Sequence, residues 1–302
     1  MNRRTVLKGA TSFAAAAWLP ASGRAVNVAE GRRRIPTSGA AIPAVGIGSW
    51  ITFNVGSDPV LLDRSTRVIA AFLEEGGGMI DSSPMYGSSQ ATIGHALAQL
   101  GDAGRVFSAD KIWTSAADAR GQLERTGRRW GIGRFDLLQV HNLVDWQANL
   151  ELLFALKETG QLGHVGITTS HGRRHGDLER IMANQPIDFV QLTYNLADRE
   201  AEARLLPLAH EKGIAVIVNR PFRRGALIRH LSGKPLPAMA PELKAESWAQ
   251  ISLKFILGHP AVTCVIPATT RVDHVRENKR VVLGPIPDTA MRQGLAAHFA
   301  DL

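Results

Sequence analysis

At 302 residues, 45% hydrophobic and 21% charged, the chain has the make-up of a globular protein able to bury one large core, which excludes a disordered or membrane-embedded polypeptide. Its formal charge of +8 is concentrated at the start, because Arg3, Arg4, Lys8 and Arg24 have no acidic neighbour, and without those four the excess is +4. No basic face is interleaved with aromatics, which argues against a nucleic-acid partner, and the single cysteine, Cys264, excludes an intramolecular disulfide or a cysteine-based metal site.

The first segment reads as an address. Asn2-Arg3-Arg4-Thr5-Val6-Leu7-Lys8 is a twin-arginine pattern, followed by a weakly apolar stretch over 9–19 and the small residues Gly23 and Ala25. That stretch falls short of the about 20 apolar residues a bilayer span needs. The expectation is a twin-arginine signal peptide over 1–25, a mature domain over 26–302, the twin-arginine translocation machinery as partner, a periplasmic location and no stable membrane insertion. Lack of disulfides suits a protein that folds in the cytoplasm before export.

From there the chain settles into a rhythm of short apolar runs and helical patterns, jointed by Gly, Asp and Pro. A hairpin with Ser38-Gly39 at its middle is predicted over 34–45. Strands are predicted over 44–50, 79–83, 106–113, 135–141, 165–169, 189–194, 215–219 and 263–267. Helices are predicted over 64–75, 90–100, 150–158, 178–183, 202–212, 247–257 and 274–281. Several strands are apolar almost throughout, as buried parallel strands are. Eight strands with intervening helices favour a single-domain (β/α)8 TIM barrel over a doubly wound sheet, with Cys264 as a core residue.

In such a barrel the polar residues at strand C-terminal ends face the cleft. Those ends offer Asp81-Ser82-Ser83 followed by Tyr86, then Lys111, His141-Asn142, Thr168-Thr169-Ser170, Gln191 and Asn219-Arg220-Pro221-Phe222. A lysine inside an apolar strand is costly unless a carboxylate partners it, and Asp81 can. A cation beside a tyrosine stabilises the phenolate, so Lys111 is expected to lower the pKa of Tyr86. A tyrosine tuned in that way can give a proton to a substrate oxygen, and His141 can donate to the same oxygen. This is equipment for interconverting a carbonyl and an alcohol. Trp50, Trp113 and Asn142 are candidate walls of the substrate pocket.

These pieces resemble, in order, the aldo-keto reductase family. The matching segments are Gly46-Ile47-Gly48-Ser49-Trp50, then Asp81-Ser82-Ser83-Pro84-Met85-Tyr86-Gly87, Lys111, Asp136-Leu137-Leu138-Gln139-Val140-His141-Asn142, Gly163-His164-Val165-Gly166, Gln191 with Tyr194-Asn195, and Ile266-Pro267 through Glu277-Asn278. The resemblance covers nearly all of the chain after its first segment. It implies a catalytic tetrad of Asp81, Tyr86, Lys111 and His141, with Tyr86 the acid–base residue, and hydride transfer from an NADP cofactor, with NAD the alternative. It further implies cofactor contacts from Thr168, Thr169, Gln191, Asn219, Arg220, Phe222, Thr269, Arg271, Glu277 and Asn278. Thr168 and Thr169 stand where the family usually has a Ser-Asn pair, Asn219 where many members stack an aromatic ring, and Ala268 and His274 where phosphate-holding residues are common. Arg271 and Arg276 are nearby substitutes.

Other readings compete. Asp81 with Lys111 can be a buried ion pair without catalytic work, and Thr168 to Ser170 can cap a helix. His171 and His175 suggest zinc, but without an H-E-x-x-H pattern they read as a solvated helix start. The alternative functions are a noncatalytic nicotinamide-binding barrel, acting as sensor or interaction subunit, and a metal-dependent hydrolase. The small-molecule carbonyl or alcohol is the expected substrate, no metal is expected, and the assembly is expected to be a monomer or small homo-oligomer.

Overall fold

The computed structural model describes residues 31–101 and 103–302; the expected signal peptide lies outside the described residues. The described part opens on an antiparallel hairpin, β1 (Arg32–Arg34) and β2 (Ala41–Pro43), with Arg33 opposite Ile42. Eight parallel strands follow: β3 (Ile47–Gly48), β4 (Gly78–Asp81), β5 (Val106–Ile112), β6 (Phe135–His141), β7 (Leu162–Thr168), β8 (Phe189–Thr193), β9 (Ala215–Asn219) and β10 (Val262–Val265). Each pairs with the next, and a bridge between Val45 and Val265 returns the ladder to its start. The result is a single (β/α)8 barrel.

The helical layer comprises α1 (Pro59–Glu74), α2 (Ser89–Leu100), α3 (Ala116–Trp130), α4 (Trp146–Glu158), α5 (His175–Asn184), α6 (Leu205–Lys212), α7 (Ala226–Leu231), α8 (Trp248–Leu257), α9 (Val272–Arg280) and α10 (Thr289–Ala300). Local chemistry sets the starts: Asp58 accepts from the amides of Val60 and Leu61 at 2.9 and 3.0 Å, with Pro59 at the first helical position. α2 and α3 approach so closely at Gly94 that a Cβ there would stand 1.9 Å from the Arg129 carbonyl oxygen. Only glycine fits.

Alternation along the strands divides the barrel into two layers relevant to the site. In the lower interior, Met79, Ala109, Leu137, Phe189, Ala215, Ile217 and Cys264 pack with Ile35 and Ile42 of the hairpin. The hairpin therefore plugs the N-terminal ends of the strands. Arg33 secures it there by donating to the carbonyls of Leu257, His259 and Val262. Above this apolar plug, Asp81, Lys111, Gln139 and Gln191 form a buried polar layer under the opposite mouth.

Three sequence-level expectations change. The strand predicted over 44–50 pairs regularly only at Ile47–Gly48, since Ile51 turns back at a φ of 67° and carries Trp50 out of the ladder. The helix predicted over 202–212 starts at Leu205, after a separate 3-10 turn at Glu200–Glu202. The α3, α7 and α10 helices are additions to the predicted set. α3 buries only Ala119, Thr126 and Trp130, with Leu123 packed on the core, and its two glycines and many charged residues leave that stripe sparse.

Candidate active site

A cavity of about 1200 Å³ opens over the C-terminal ends of the strands, the face where barrel enzymes carry their chemistry. At its base, Lys111 projects inward from β5, fully buried, and its Nζ donates at 2.7 Å to Asp81 Oδ2 and at 2.7 Å to the Ser82 carbonyl. Asp81 Oδ1 accepts from Gln139 Nε2 at 3.2 Å and Gln191 Nε2 at 2.8 Å. Donors from β5, β6 and β8 thus fix one carboxylate from β4. Burial opposes charge on Lys111, but Asp81 and Tyr86 outweigh it and hold the ammonium above its ordinary pKa.

Tyr86 lies on the loop between β4 and α2, with Lys111 Nζ 5.2 Å from its ring centroid. Its ring meets His141 edge-on at 5.7 Å and Trp50 at 6.5 Å. The expected lowering of its pKa does not occur. Burial of the phenol dominates and pushes the pKa up to about 12, with Lys111 pulling down while Asp81 and Asp110 add to the rise. The phenol is protonated at neutral pH.

His141, at the end of β6, binds Ser83 Oγ through Nδ1 at 2.7 Å, and that hydroxyl also accepts the Met85 amide. Nδ1 is therefore engaged, leaving Nε2 as the ring atom free to meet a ligand. Burial first, then Lys111, lowers the His141 pKa to about 3, so the ring is neutral throughout the physiological range. Nothing in the sequence gives Ser83 this role, because a hydroxyl at a strand end has many ordinary uses.

The remaining candidates divide. Trp50, Asn142, Thr169, Gln191, Asn219, Arg220, Phe222, Thr269, Arg271, Glu277 and Asn278 all border the cavity. Thr168 does not: its hydroxyl turns under the cleft and donates to Gln191 Oε1 at 3.0 Å, propping that side chain from below. Trp113 also stands outside the cavity walls, 43% exposed, because β5 ends at Ile112 and the chain turns away. Asn219 is tied down within the protein, accepting from Thr193 at 2.6 Å and donating to the Thr169 carbonyl at 2.9 Å. Arg276 pairs with Glu74 at 3.1 Å, away from the cavity, while Arg271 borders it but forks onto Asp273.

The cavity also carries cationic groups the sequence did not single out. Arg224 stacks on Trp50 with its guanidinium carbon 4.0 Å from the ring centroid, and Arg173 and Arg174 border the same cavity. Two shielded nitrogens of Arg220, Nε and Nη1, have no hydrogen-bond partner. A half-buried guanidinium with two unpaired, shielded nitrogens favours an anionic ligand. With an anion-seeking rim, a free Thr169 hydroxyl beside Gln191, and room for a dinucleotide, the residues fit a nicotinamide cofactor. Among the described residues, no three His, Cys, Asp or Glu side chains are grouped to hold a metal.

Comparison with known proteins agrees with this architecture. The model of the aldo/keto reductase family matches residues 44–294. An uncharacterized oxidoreductase of Schizosaccharomyces pombe is 32% identical over 154 residues, 50% of this chain and 48% of that protein. An aldo-keto reductase of Bacillus subtilis is 27% identical, with 64% and 62% covered, so the chain spans about half to three fifths of these two relatives. Among solved structures, the holo form of a Bacillus halodurans aldo-keto reductase superposes with a TM-score of 0.72 at 22% identity, covering 89% of this chain and 95% of that one. A Klebsiella pneumoniae aldo-keto reductase in complex with NADPH gives 0.73 at 20% identity, covering 86% and 92%.

Proposed function

The chain belongs to the aldo/keto reductase family, and from that membership and the site's geometry we propose that it is a nicotinamide-dependent oxidoreductase that interconverts a carbonyl and an alcohol. The observation that carries this reading is the protonated Tyr86 phenol, set between the Lys111 ammonium and a neutral His141 under an anion-seeking cleft. NADP(H) is the proposed cofactor and NAD(H) the second choice, in keeping with the NADPH held by the Klebsiella relative.

When bound, the reduced nicotinamide supplies a hydride to the substrate carbon. The protein's own part is to manage the oxygen. Tyr86 Oη holds the proton that the oxygen needs as negative charge builds on it, and Lys111 stabilises the phenolate left behind. The neutral imidazole of His141, in the tautomer with hydrogen on Nε2, can donate to the same oxygen and set its direction. Asp81 keeps Lys111 charged and in place. Trp50 and Asn142 would border the substrate, while Thr169 and Gln191 would meet the carboxamide end of the cofactor and Arg220 its phosphates. Thr269, Glu277 and Asn278 would flank the adenosine end, with Arg271 available there once released from Asp273, and Phe222 would pack against the cofactor between the two ends.

A phenol held near pH 12 favours donation over abstraction. Carbonyl reduction is expected to be insensitive to ionisation of Tyr86 between pH 7 and 10, whereas alcohol oxidation should rise about tenfold per pH unit there, because it needs the minor phenolate. Initial rates in both directions over that range check this. An oxidation rate flat across the range would contradict it.

The first segment supports export by the twin-arginine route to the periplasm, with residues 26–302 as the mature barrel. Since that compartment offers no evident pool of reduced nicotinamide, the cofactor would travel out bound and be recycled in place. Nucleotide analysis of the exported protein tests this; exported protein wholly free of nucleotide would overturn it. The deciding experiment for the function is fluorescence titration with NADPH and NADH, followed by turnover on a panel of aldehydes, ketones and sugars. Tight cofactor binding without turnover on any of them would favour the noncatalytic alternative.

A further inference from the structure

Immediately before Lys111, Asp110 points to the other side of β5, out of the barrel and into the layer between strand and helices. It is fully buried. Its Oδ1 accepts from the Lys111 backbone amide at 2.7 Å and from Gln90 Nε2 at 3.0 Å, and its Oδ2 from the Trp130 indole at 2.7 Å and the same Gln90 nitrogen at 3.1 Å. Gln90 belongs to the first turn of α2, four residues after Tyr86, and its own carbonyl accepts from Arg129 at 3.0 Å. α2 and α3 are locked together here by the close approach at Gly94.

We propose that Asp110 is a positioning residue for the reaction: a carboxylate behind the cleft that clamps the strand of Lys111 to the helix following Tyr86 and so fixes the ammonium against the phenol. The inference rests on the catalytic reading of that pair. Its geometry explains an expense that is otherwise hard to justify, since a second buried acid next to Asp81 costs desolvation that a neutral residue would avoid. Three neighbours offer N–H groups to this carboxylate, so a neutral side chain could not satisfy them all.

The clamp also sets charge. Around Asp110 lie Lys111 on its own strand, Gln90 from α2, and Thr126, Arg129 and Trp130 from α3; Lys111 and Arg129 are the cations among them. Asp81 and Tyr86 lie beyond Lys111. Burial outweighs these contacts and pushes the Asp110 pKa up to about 7. Above neutrality its negative charge supports the Lys111 ammonium and disfavours the phenolate. Below neutrality the carboxylate gains a proton and loses an acceptor site.

The test compares wild type with Asp110→Asn and with the double variant Asp110→Asn/Gln90→Glu. The double variant moves the carboxylate onto α2, where it can accept from the carboxamide introduced on β5 and from Arg129. The readout is the tyrosinate absorbance of the folded protein on raising pH, with Tyr86→Phe as the blank that removes Tyr86 and leaves Tyr194, the only other tyrosine. Asp110→Asn should lower the Tyr86 transition by about one unit, since a like charge has left its neighbourhood. The double variant should recover thermal stability but keep a shifted titration. Amide exchange at Lys111 and over 84–90 should quicken in Asp110→Asn and slow again in the double variant. An unchanged Tyr86 titration together with unchanged exchange in Asp110→Asn would overturn the proposal. Both readouts are independent of turnover, so a wild type inactive on every carbonyl would refute the reductase reading without deciding the clamp. Where turnover is present, kcat should fall several-fold in Asp110→Asn with KM for cofactor preserved, and the wild-type inflection near pH 7 should vanish.

Discussion

Replacing Tyr86 with Phe is expected to lower kcat for carbonyl reduction by roughly a hundred- to ten-thousand-fold while leaving NADPH affinity within about twofold of wild type. The change removes one oxygen and keeps the ring that packs against Trp50 and His141. No buried partner is orphaned, since Lys111 retains its bonds to Asp81 and to the Ser82 carbonyl. Stability should therefore change little, and the loss belongs to chemistry. Steady-state kinetics combined with fluorescence titration separates the two quantities. Normal turnover in this variant would remove Tyr86 from the mechanism, because the only other tyrosine, Tyr194, is buried against Glu202 and Arg292 on the outer side of the barrel wall.

Lys111→Met is expected to cost both activity and stability. Methionine roughly fills the lysine's volume but leaves Asp81 with a buried negative charge and only two amide donors. Breaking such a pair from one side typically costs about 3–5 kcal/mol, and for a domain of this size the melting temperature should drop by roughly ten degrees. Turnover should fall at least as far as in Tyr86→Phe, because the phenolate loses its supporting cation. Adding Asp81→Asn removes the stranded charge while Gln139 and Gln191 still find an acceptor. That double variant should regain most of the melting temperature and none of the turnover. If Lys111→Met melted normally, the ion pair would carry no structural weight; if it turned over normally, Tyr86 would not depend on it.

Much of this site could be read from residue types and their spacing. Lys111 in an apolar strand demanded a carboxylate, Asp81 was the acid at the neighbouring strand end, and period-two alternation placed both on the inner face. The eight strands were visible because each is an apolar run bounded by turn residues. What stayed hidden depended on depth and on side-chain direction. The sequence shows that a cation stands near Tyr86, but not how completely the phenol is dehydrated, and dehydration decides the sign of its shift. Thr168 and Thr169 are adjacent hydroxyls, yet one turns under the floor to Gln191 while the other borders the cavity. Trp113 follows β5 by one residue, and whether it faces the cleft depends on where the strand lets go. Asp110 was legible in principle, as a charged residue on the helix-facing side of a buried strand. It was masked by its neighbour, which offered a more familiar chemistry.

The hairpin at the base has a practical consequence. With Arg33 pinned to carbonyls around the start of β10, and with Ile35 and Ile42 inserted among the lowest interior side chains, the hairpin stands at the end opposite the mouth of the cleft. A label on the exposed turn of the hairpin, at Thr37, would project away from the bound molecule's way in. The protein can therefore be immobilised through that turn with the cleft facing outward, and a reporter attached there should not obstruct ligand exchange. A C-terminal attachment would lack this advantage, because Lys234, which borders the cavity, donates to the carbonyl of Leu302 at 2.9 Å.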